Sequence, residues 1–249
     1  EIYEYSDMIE SMSNFMTGIN IGYDFMPGQQ INFQVLNSLN GSFESMYGTF
    51  SPEMGCFGEY IAATPSKLPL VYTLNWNGNF SDIWSASLMS QAKGKNLYYF
   101  ALGNEFTFGK FNMYIDLMYS NDAIDRAGIM TEIVGGACGH NVFKANYLSL
   151  VSKLNYRFAD KWNVFVKGMY ETASIKDMTD PQAYPFITNG KYRTSLGYLG
   201  GIEYYPMESN LHFFLTYVGR HYIYEEIANK PDYSTNRVSV GFIYQLPMF

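Results

Sequence analysis

The sequence has little charge, few cysteines and histidines, and no long apolar run. Charged residues account for 16% of the chain, below the roughly 25% that is usual in soluble domains. No segment approaches the run of about 18 apolar residues that marks a transmembrane helix. Two cysteines are too few for a disulfide scaffold, and a net charge of -7 argues against nucleic acid as a partner.

Aromatic residues are abundant instead. They make up 18% of the chain, mostly as 23 tyrosines and 19 phenylalanines, while the mean hydropathy is only -0.14. Many aromatics combined with middling hydropathy indicate strands that are apolar on alternate residues. A membrane β-barrel has this composition because one face of each strand meets lipid and the other meets a polar lumen.

Alternation with a period of two runs through the sequence and is clearest in its second half. Leu148, Leu150 and Leu154 fall on one face of a predicted strand, while Lys153 and Arg157 fall on the other. Runs of about ten such residues, separated by turns, are typical of barrel strands. We predict an all-β fold, an antiparallel transmembrane β-barrel with about eleven visible strands, at residues 13–26, 30–38, 67–78, 82–91, 96–108, 111–120, 145–158, 161–173, 191–205, 210–224 and 235–249.

The connections alternate between tight turns and long loops. The long loops are predicted at 39–66, 121–144, 174–190 and 225–234. Outer-membrane barrels place short turns on the periplasmic rim and long loops on the extracellular rim. An odd number of strands cannot close an antiparallel barrel, because the first and last would run parallel. We therefore expect residues 1–249 to be a single barrel domain, the C-terminal portion of a longer chain, unless one strand has been missed or merged.

A soluble barrel or sandwich is the alternative fold. It would place its aromatics inside and would carry more Lys and Glu on its solvated face. Trp76, Trp84 and Trp162 instead fall near predicted strand ends on the apolar face, where the aromatic girdle of a membrane barrel lies. The pattern favours the membrane barrel.

Four long segments carry a family resemblance. They are FGKFNMYIDLMYS at 108–120, KWNVFVKGMYETAS at 161–174, GYLGGIEYYPMESNLHFFLTYVGR at 197–220 and RVSVGFIYQLPMF at 237–249. They resemble the porins of Bacteroides and its relatives, which are similar to the phosphate-selective porin O and P family. The resemblance implies a multi-pass barrel of about sixteen strands in the Gram-negative outer membrane. It also implies homotrimers and contact with lipid and lipopolysaccharide.

The C-terminal residue fits the same class. Phe249 matches the terminal aromatic by which the barrel-assembly machinery reads the last strand of outer-membrane proteins. However, Phe249 is out of phase with Phe242 and Tyr244, so a bulge at Pro247 is needed to restore the alternation.

Charged residues on the lumen-facing parity are the candidate functional residues. Their positions along the strands predict that Arg193, Arg220 and Arg237 lie near the extracellular mouth, with Lys153 and Lys167 nearer mid-height. A wall of Lys and Arg attracts anions such as phosphate. The candidate pore-lining and anion-binding residues are Lys153, Arg157, Lys167, Arg193, Arg220 and Arg237.

Acidic residues on the same parity support a competing interpretation. Asp116, Glu171 and Glu203 also face inward, and Glu171 is predicted beside Arg193. Ion pairs of this kind brace a barrel wall without selecting a solute. The residues alone leave selectivity and bracing as open alternatives.

Both cysteines fall in long loops. Cys56 lies in the loop 39–66, which is the best candidate to cover or enter the pore, and Cys138 lies in the loop 121–144. On the extracellular side they are beyond cytosolic reductants. They either form one disulfide between the two loops or stay free.

We therefore predict that the chain is a porin, which allows passive diffusion of small hydrophilic solutes, including anions such as phosphate. A non-conducting barrel that serves as an accessory or scaffold in an outer-membrane complex is the alternative. A hydrolase is disfavoured, because His140, His212 and His221 occur in no catalytic motif. We expect neither a cofactor nor a bound metal.

Overall fold

One curved antiparallel sheet dominates the computed structural model of the chain, which describes residues 17–37, 53–54, 60–61, 70–93, 97–122, 143–178, 189–206, 211–228 and 230–244. Each strand of this sheet pairs with the one before it and the one after it in sequence, apart from the intervening pair β3–β4. The strands are β1 (Thr17–Met26), β2 (Gln29–Asn37), β3 (Glu53–Met54), β4 (Tyr60–Ile61), β5 (Leu70–Asn79), β6 (Trp84–Lys93), β7 (Leu97–Phe108), β8 (Phe111–Asp122), β9 (Phe143–Ala159), β10 (Trp162–Met178), β11 (Gly190–Tyr204), β12 (Leu211–Tyr224) and β13 (Tyr233–Tyr244).

The eleven predicted strands are confirmed as the 11-stranded sheet β1-β2-β5-β6-β7-β8-β9-β10-β11-β12-β13. The main difference lies at the long-loop ends, where β10 continues to Met178 beyond the predicted end at 173. Polar residues there interrupt the alternation, but their backbones still pair with the neighbouring strand. The two-residue ladder β3–β4 was not predicted. Residues 13–16 and the end of the chain, with Pro247 and Phe249, lie outside the described residues.

Large apolar side chains cover the outer face of the sheet. Ile19 is 69% exposed, Val166 is 55% exposed and Val240 is 81% exposed, although all three are in regular strands. Consecutive side chains of a strand point to opposite faces, so the polar residues between them line the concave face. An apolar outside and a polar inside are the reverse of a soluble β-barrel.

Aromatic rings form a belt along the outer face near the short-turn rim. Phe80 stacks on Trp84 with centroids 4.4 Å apart, and Trp162 lies 4.5 Å from Tyr204. Such belts mark the membrane–water interface in outer-membrane barrels. The belt comprises Trp76, Phe80, Trp84, Phe106, Phe108, Phe111, Tyr156, Phe158, Trp162 and Tyr204.

Two of the short turns depend on glycine. Gly28 joins β1 to β2 with φ 73°, and Gly109 joins β7 to β8 with φ 58°. Both angles lie in the left-handed region, which residues with a Cβ rarely adopt. These turns, with the β9–β10 turn at Asp160, fix the short-turn rim.

The sheet has two edges within the described part of the chain, because β1 and β13 each pair with one neighbour only. A cavity on the concave side nevertheless touches both Asp24 on β1 and Ile243 on β13. The sheet therefore curls far enough to bring its two ends around one space.

No helix among the described residues is long and apolar enough to cross a membrane.

Candidate functional site: the lumen wall

The cavity inside the curved sheet has a volume of about 1340 Å³. Pockets that hold one small ligand typically measure about 300–1,000 Å³, so this space can admit a solute together with its water. Its wall combines polar and apolar surface and lies toward the short-turn rim. Charged and amide side chains in the wall are Asp24, Gln29, Gln30, Asn77, Asn79, Asn104, Glu105, Asp116, Lys153, Lys167 and Glu203.

Strand registration arranges the lumen-facing residues in rows that cross the sheet. One row, here called the lysine row, places Lys153 directly opposite Lys167. Like charges directly opposite each other on one face of a sheet are destabilising. In strand order the lysine row contains Glu105, Tyr114, Lys153, Lys167, Leu199, Val218 and Arg237.

The two lysines have different surroundings. The Lys153 ammonium lies 5.0 Å from the centroid of the Phe165 ring, a cation–π contact. Lys167 is only 8% exposed and interacts electrostatically with Asp116, which also lines the cavity. Lys167 is therefore partly compensated within the wall, and Lys153 rests on an aromatic face.

The three arginines predicted at one height are staggered along the strands. Arg220 pairs with Gly197, which lies four residues along β11 from Arg193. At about 3.3 Å per residue, the two arginines are offset by roughly 13 Å along the strands. Arg237 pairs with Val218 and falls on the lysine row. The arginines therefore form a diagonal across β11–β13 that ends at Arg237 on the lysine row, and the five residues together are here called the cation band.

Tyrosines hold the upper part of this band. The Arg193 guanidinium lies 5.0 Å from the Tyr222 ring centroid and 5.9 Å from that of Tyr224. The Arg220 Nη1 donates to the Tyr222 hydroxyl at 3.2 Å. Tyr233 stacks on Tyr222 with centroids 4.6 Å apart. Aromatic stacking and cation–π contacts thus fix two guanidinium groups against the lumen wall.

Arg157 has a different environment from the other candidates. Its Nε and Nη2 atoms donate to the Asp160 carbonyl at 3.1 and 2.5 Å. It caps the β9–β10 turn at the short-turn rim. These two hydrogen bonds to a single backbone oxygen stabilise the turn and hold the guanidinium at the rim of the lumen.

The acidic residues lie beside the cation band. Glu171, 1% exposed, lies across from Ser149 on β9 and Ser195 on β11, while Arg193 pairs with Ala173. The predicted Glu171–Arg193 proximity is therefore diagonal rather than direct.

Glu203 forms a small polar cluster near the short-turn rim. It accepts from Asn163 Nδ2 at 2.7 Å and from the Tyr205 hydroxyl at 3.2 Å, and His212 Nε2 lies 3.7 Å from its other oxygen. Burial, with the charge and hydrogen bond of Glu203, raises the pKa of Tyr205 to about 12. The phenol thus stays a proton donor to the carboxylate at any physiological pH.

The two described histidines, His212 and His221, lie on opposite faces of β12. His221 Nδ1 lies 2.8 Å from Ser234 Oγ, but this pair is on the outer face. Among the described residues no third side chain is hydrogen-bonded to that imidazole, so the orienting group that a catalytic triad requires is missing there. His140 lies outside the described residues.

The lumen face has two levels. Tyr99, Ser120, Tyr147 and Ser149, on the rows nearer the long-loop rim, are all 0–2% exposed. The rows that border the cavity lie on the short-turn side of these residues. The wall is therefore packed at one level and open at the other. Loop 39–66 apart from β3 and β4 lies outside the described residues, as do Cys56 and Cys138, so whether the two cysteines form a disulfide stays a prediction.

One group of lumen residues was missed in the sequence reasoning. Asn and Gln side chains occupy the lumen-facing positions of β1, β2 and β5, with Gln30 opposite Asn77 and Asn32 opposite Asn75. Charge alone does not single them out. The signal that identifies them is an amide at every second position, as in Gln30, Asn32 and Gln34.

Comparison with known proteins agrees with this geometry. The family model described as phosphate-selective porin O and P matches residues 1–246. In fold, the chain is similar to the outer membrane channel DcaP of Acinetobacter baumannii, with a TM-score of 0.65 and 12% identity over 96% of this chain and 68% of that one. OmpT of Vibrio cholerae gives a TM-score of 0.47 and 12% identity over 91% of this chain and 88% of that one. Comparison with curated proteins gave no significant match.

The match to the family covers nearly the whole chain, and the fold is that of outer-membrane channels. The apolar outer face, the aromatic belt and the polar cavity are the parts that a pore in the outer membrane requires. This chain is a porin of the outer membrane and belongs to the phosphate-selective porin O and P family.

Proposed function

We propose that this porin passes small hydrophilic solutes by diffusion and prefers anions to cations. The observation that carries the preference is the lysine row, in which Lys153 and Lys167 are directly opposite and both border the cavity. Their mutual repulsion falls when an anion lies between them. Lys and Arg groups on a pore wall raise the local anion concentration, as in anion and phosphate pores.

The cation band extends this preference along the lumen. Arg237 lies on the lysine row, Arg220 on the next row and Arg193 further toward the long-loop rim. An anion that moves from the level of Arg193 past that of Arg220 to the lysine row meets a positive group at each of the three levels. Arg157 is part of the rim, where its guanidinium adds charge at one entrance. The name of the family makes phosphate the first anion to test.

Acidic side chains limit how strong the preference is. Asp24, Glu105, Asp116 and Glu203 border the same cavity. The wall therefore attracts cations as well, on a different part of its circumference. We expect a moderate anion preference rather than exclusion of cations.

The larger assembly is also part of the proposal. We expect the described strands to belong to a barrel of about sixteen strands, closed by strands that precede β1 and assembled as a homotrimer. Its outer face would contact lipid and lipopolysaccharide, and its last strand would engage the assembly machinery. The function requires no enzymatic activity, cofactor or metal.

A barrel that serves as a scaffold is the second candidate. The observation that favours it is the packed level of the lumen face, where Tyr147 and Ser149 are almost fully buried. A lumen filled at that level would not conduct. The open cavity on the short-turn side favours the porin over this alternative.

Osmotic swelling of proteoliposomes separates the two candidates. The full-length protein is reconstituted and exposed to isosmotic small solutes. The porin is expected to give swelling rates that fall as solute size rises. Absence of swelling with correctly inserted protein would support the scaffold instead.

A further inference from the structure

We propose that the lumen carries a second recognition surface, on β2 and β5 beside β1, for neutral polyhydroxylated solutes such as disaccharides. We call it the carboxamide wall. Registration places its members on the lumen face, with Gln30 opposite Asn77 and Asn32 opposite Asn75. Its members are Gln30, Asn32, Asn75, Asn77 and Asn79.

The wall is nearly uncharged. Strands β1, β2 and β5 contain no lysine or arginine, and Asp24 is their one acid. Gln30 Nε2 donates to the Asp24 carboxylate at 2.9 Å, so this charge is already engaged. An ion gains little from such a surface. A solute that offers hydroxyl groups gains more, because a carboxamide donates through nitrogen and accepts through oxygen.

Two of the amides are held in fixed orientations by hydrogen bonds. Asn32 Nδ2 donates to Gln30 Oε1 at 2.8 Å, and Gln30 donates onward to Asp24. Gly22 makes room for this arrangement, because a Cβ at that position would lie 2.5 Å from Asn32 Oδ1. A preorganised wall loses less conformational entropy when a ligand binds than a set of free side chains does.

One acceptor of the wall has no partner within the described part of the chain. The Asn75 Oδ1 atom is buried and accepts no hydrogen bond there. A buried polar atom without a hydrogen bond is costly and uncommon in proteins. A solute hydroxyl that donates to Asn75 would remove that cost, which an anion without a proton to donate cannot do.

The position of the wall suits a solute in transit. Gln30, Asn77 and Asn79 border the cavity of about 1340 Å³, and Lys153 and Lys167 border it as well. Neutral hydroxylated solutes and anions would thus use different parts of one lumen. This inference rests on the proposed function in one respect, since it needs an open lumen.

Titration of the channel current with sucrose tests the inference. The full-length protein is reconstituted in planar bilayers, and its conductance is measured as sucrose is added. We expect a saturable block. In Asn75→Ala or Asn77→Ala the affinity for sucrose should fall roughly two-fold to ten-fold, the effect of one lost hydrogen bond. Using two variants keeps the test valid if one of them does not fold.

Two controls complete the design. Asn236→Ala makes the same change on the outer face, where Asn236 accepts from Tyr217, and should leave the sucrose affinity unchanged. Poly(ethylene glycol) of the same size with methyl-capped ends has ether oxygens that only accept, and it should lower the conductance without saturation.

The possible outcomes distinguish failure of the carboxamide wall from failure of the porin function. A linear effect of sucrose, an equal block by poly(ethylene glycol), or unchanged affinity in both lumen variants would overturn the carboxamide wall and leave the porin function intact. No conductance at all would instead overturn the porin function on which the inference rests.

Discussion

Charge changes at Lys153 test the proposed anion preference most specifically. Lys153 borders the cavity directly opposite Lys167, and its ammonium lies over Phe165. Lys153→Met removes the charge and keeps the long side chain that packs on the ring. Lys153→Glu reverses the charge at the same position.

Coulomb's law gives the size of the effect. An anion about 5 Å from an ammonium group in a water-like medium gains about 0.8 kcal/mol, roughly a four-fold rise in local concentration. Screening at about 0.1 M salt, where the Debye length is about 10 Å, reduces this to roughly two-fold. We therefore expect Lys153→Met to lower the anion-to-cation permeability ratio roughly two-fold to four-fold, and Lys153→Glu to lower it by roughly the square of that factor.

The assay is the reversal potential of the full-length channel in a gradient of KCl. Lys191→Met is the matched control, because Lys191 pairs with Glu225 at 3.1 Å on the long-loop side and does not border the cavity. The difference between variants should shrink at about 1 M salt, where the Debye length is near 3 Å. If Lys153→Glu leaves the reversal potential unchanged at low salt, the lysine row does not select solutes and the bracing interpretation stands.

Two further predictions concern the barrel itself. A Cβ added at Gly201 would lie 2.7 Å from the buried Phe165 ring and 2.8 Å from the Leu215 carbonyl oxygen, whereas one at Gly168 would meet nothing within 4 Å. Gly201→Ala should therefore cost about 1–3 kcal/mol of stability, seen as a lower midpoint of heat-modified mobility in SDS gels. Equal midpoints for Gly201→Ala and Gly168→Ala would contradict the packing. Val166 is 55% exposed on the outer face, so Val166→Arg should destabilise the inserted barrel by about 2–4 kcal/mol in refolding titrations with lipid vesicles. Ser87 points into the lumen, so Ser87→Arg should lower the stability much less than Val166→Arg does. A larger loss of stability for Ser87→Arg than for Val166→Arg would mean that the two faces are wrongly assigned.

Much of the fold could be predicted from alternation alone. Period two fixes which residues share a face, so the outer position of Val166 and the inner position of Lys167 follow from the sequence. Strand ends were harder, because β10 continues to Met178 through polar residues where only backbone pairing maintains the strand.

Cross-strand registration could not be predicted in the same way. Alternation does not say which residue of the next strand lies opposite, because register depends on turn geometry and on bulges such as the one after Ala173. Arg193, Arg220 and Arg237 therefore seemed to share one height. The registered sheet staggers them into a diagonal band.

The carboxamide wall was overlooked for a different reason. Charged residues, histidines and cysteines stand out in a sequence because each can bind or react on its own. Asparagine and glutamine do not stand out in this way. Asn32 and Asn75 become informative only when registration places them side by side and leaves one buried oxygen without a partner in the described sheet.

Single-channel recording of the full-length protein in planar bilayers tests the central claim most directly. A porin is expected to give stepwise, long-lived conductance increments, with a reversal potential in asymmetric KCl that indicates a moderate preference for chloride. Protein that is folded and inserted but gives no increments would contradict the porin function, and a preference for potassium would contradict the role of the lysine row.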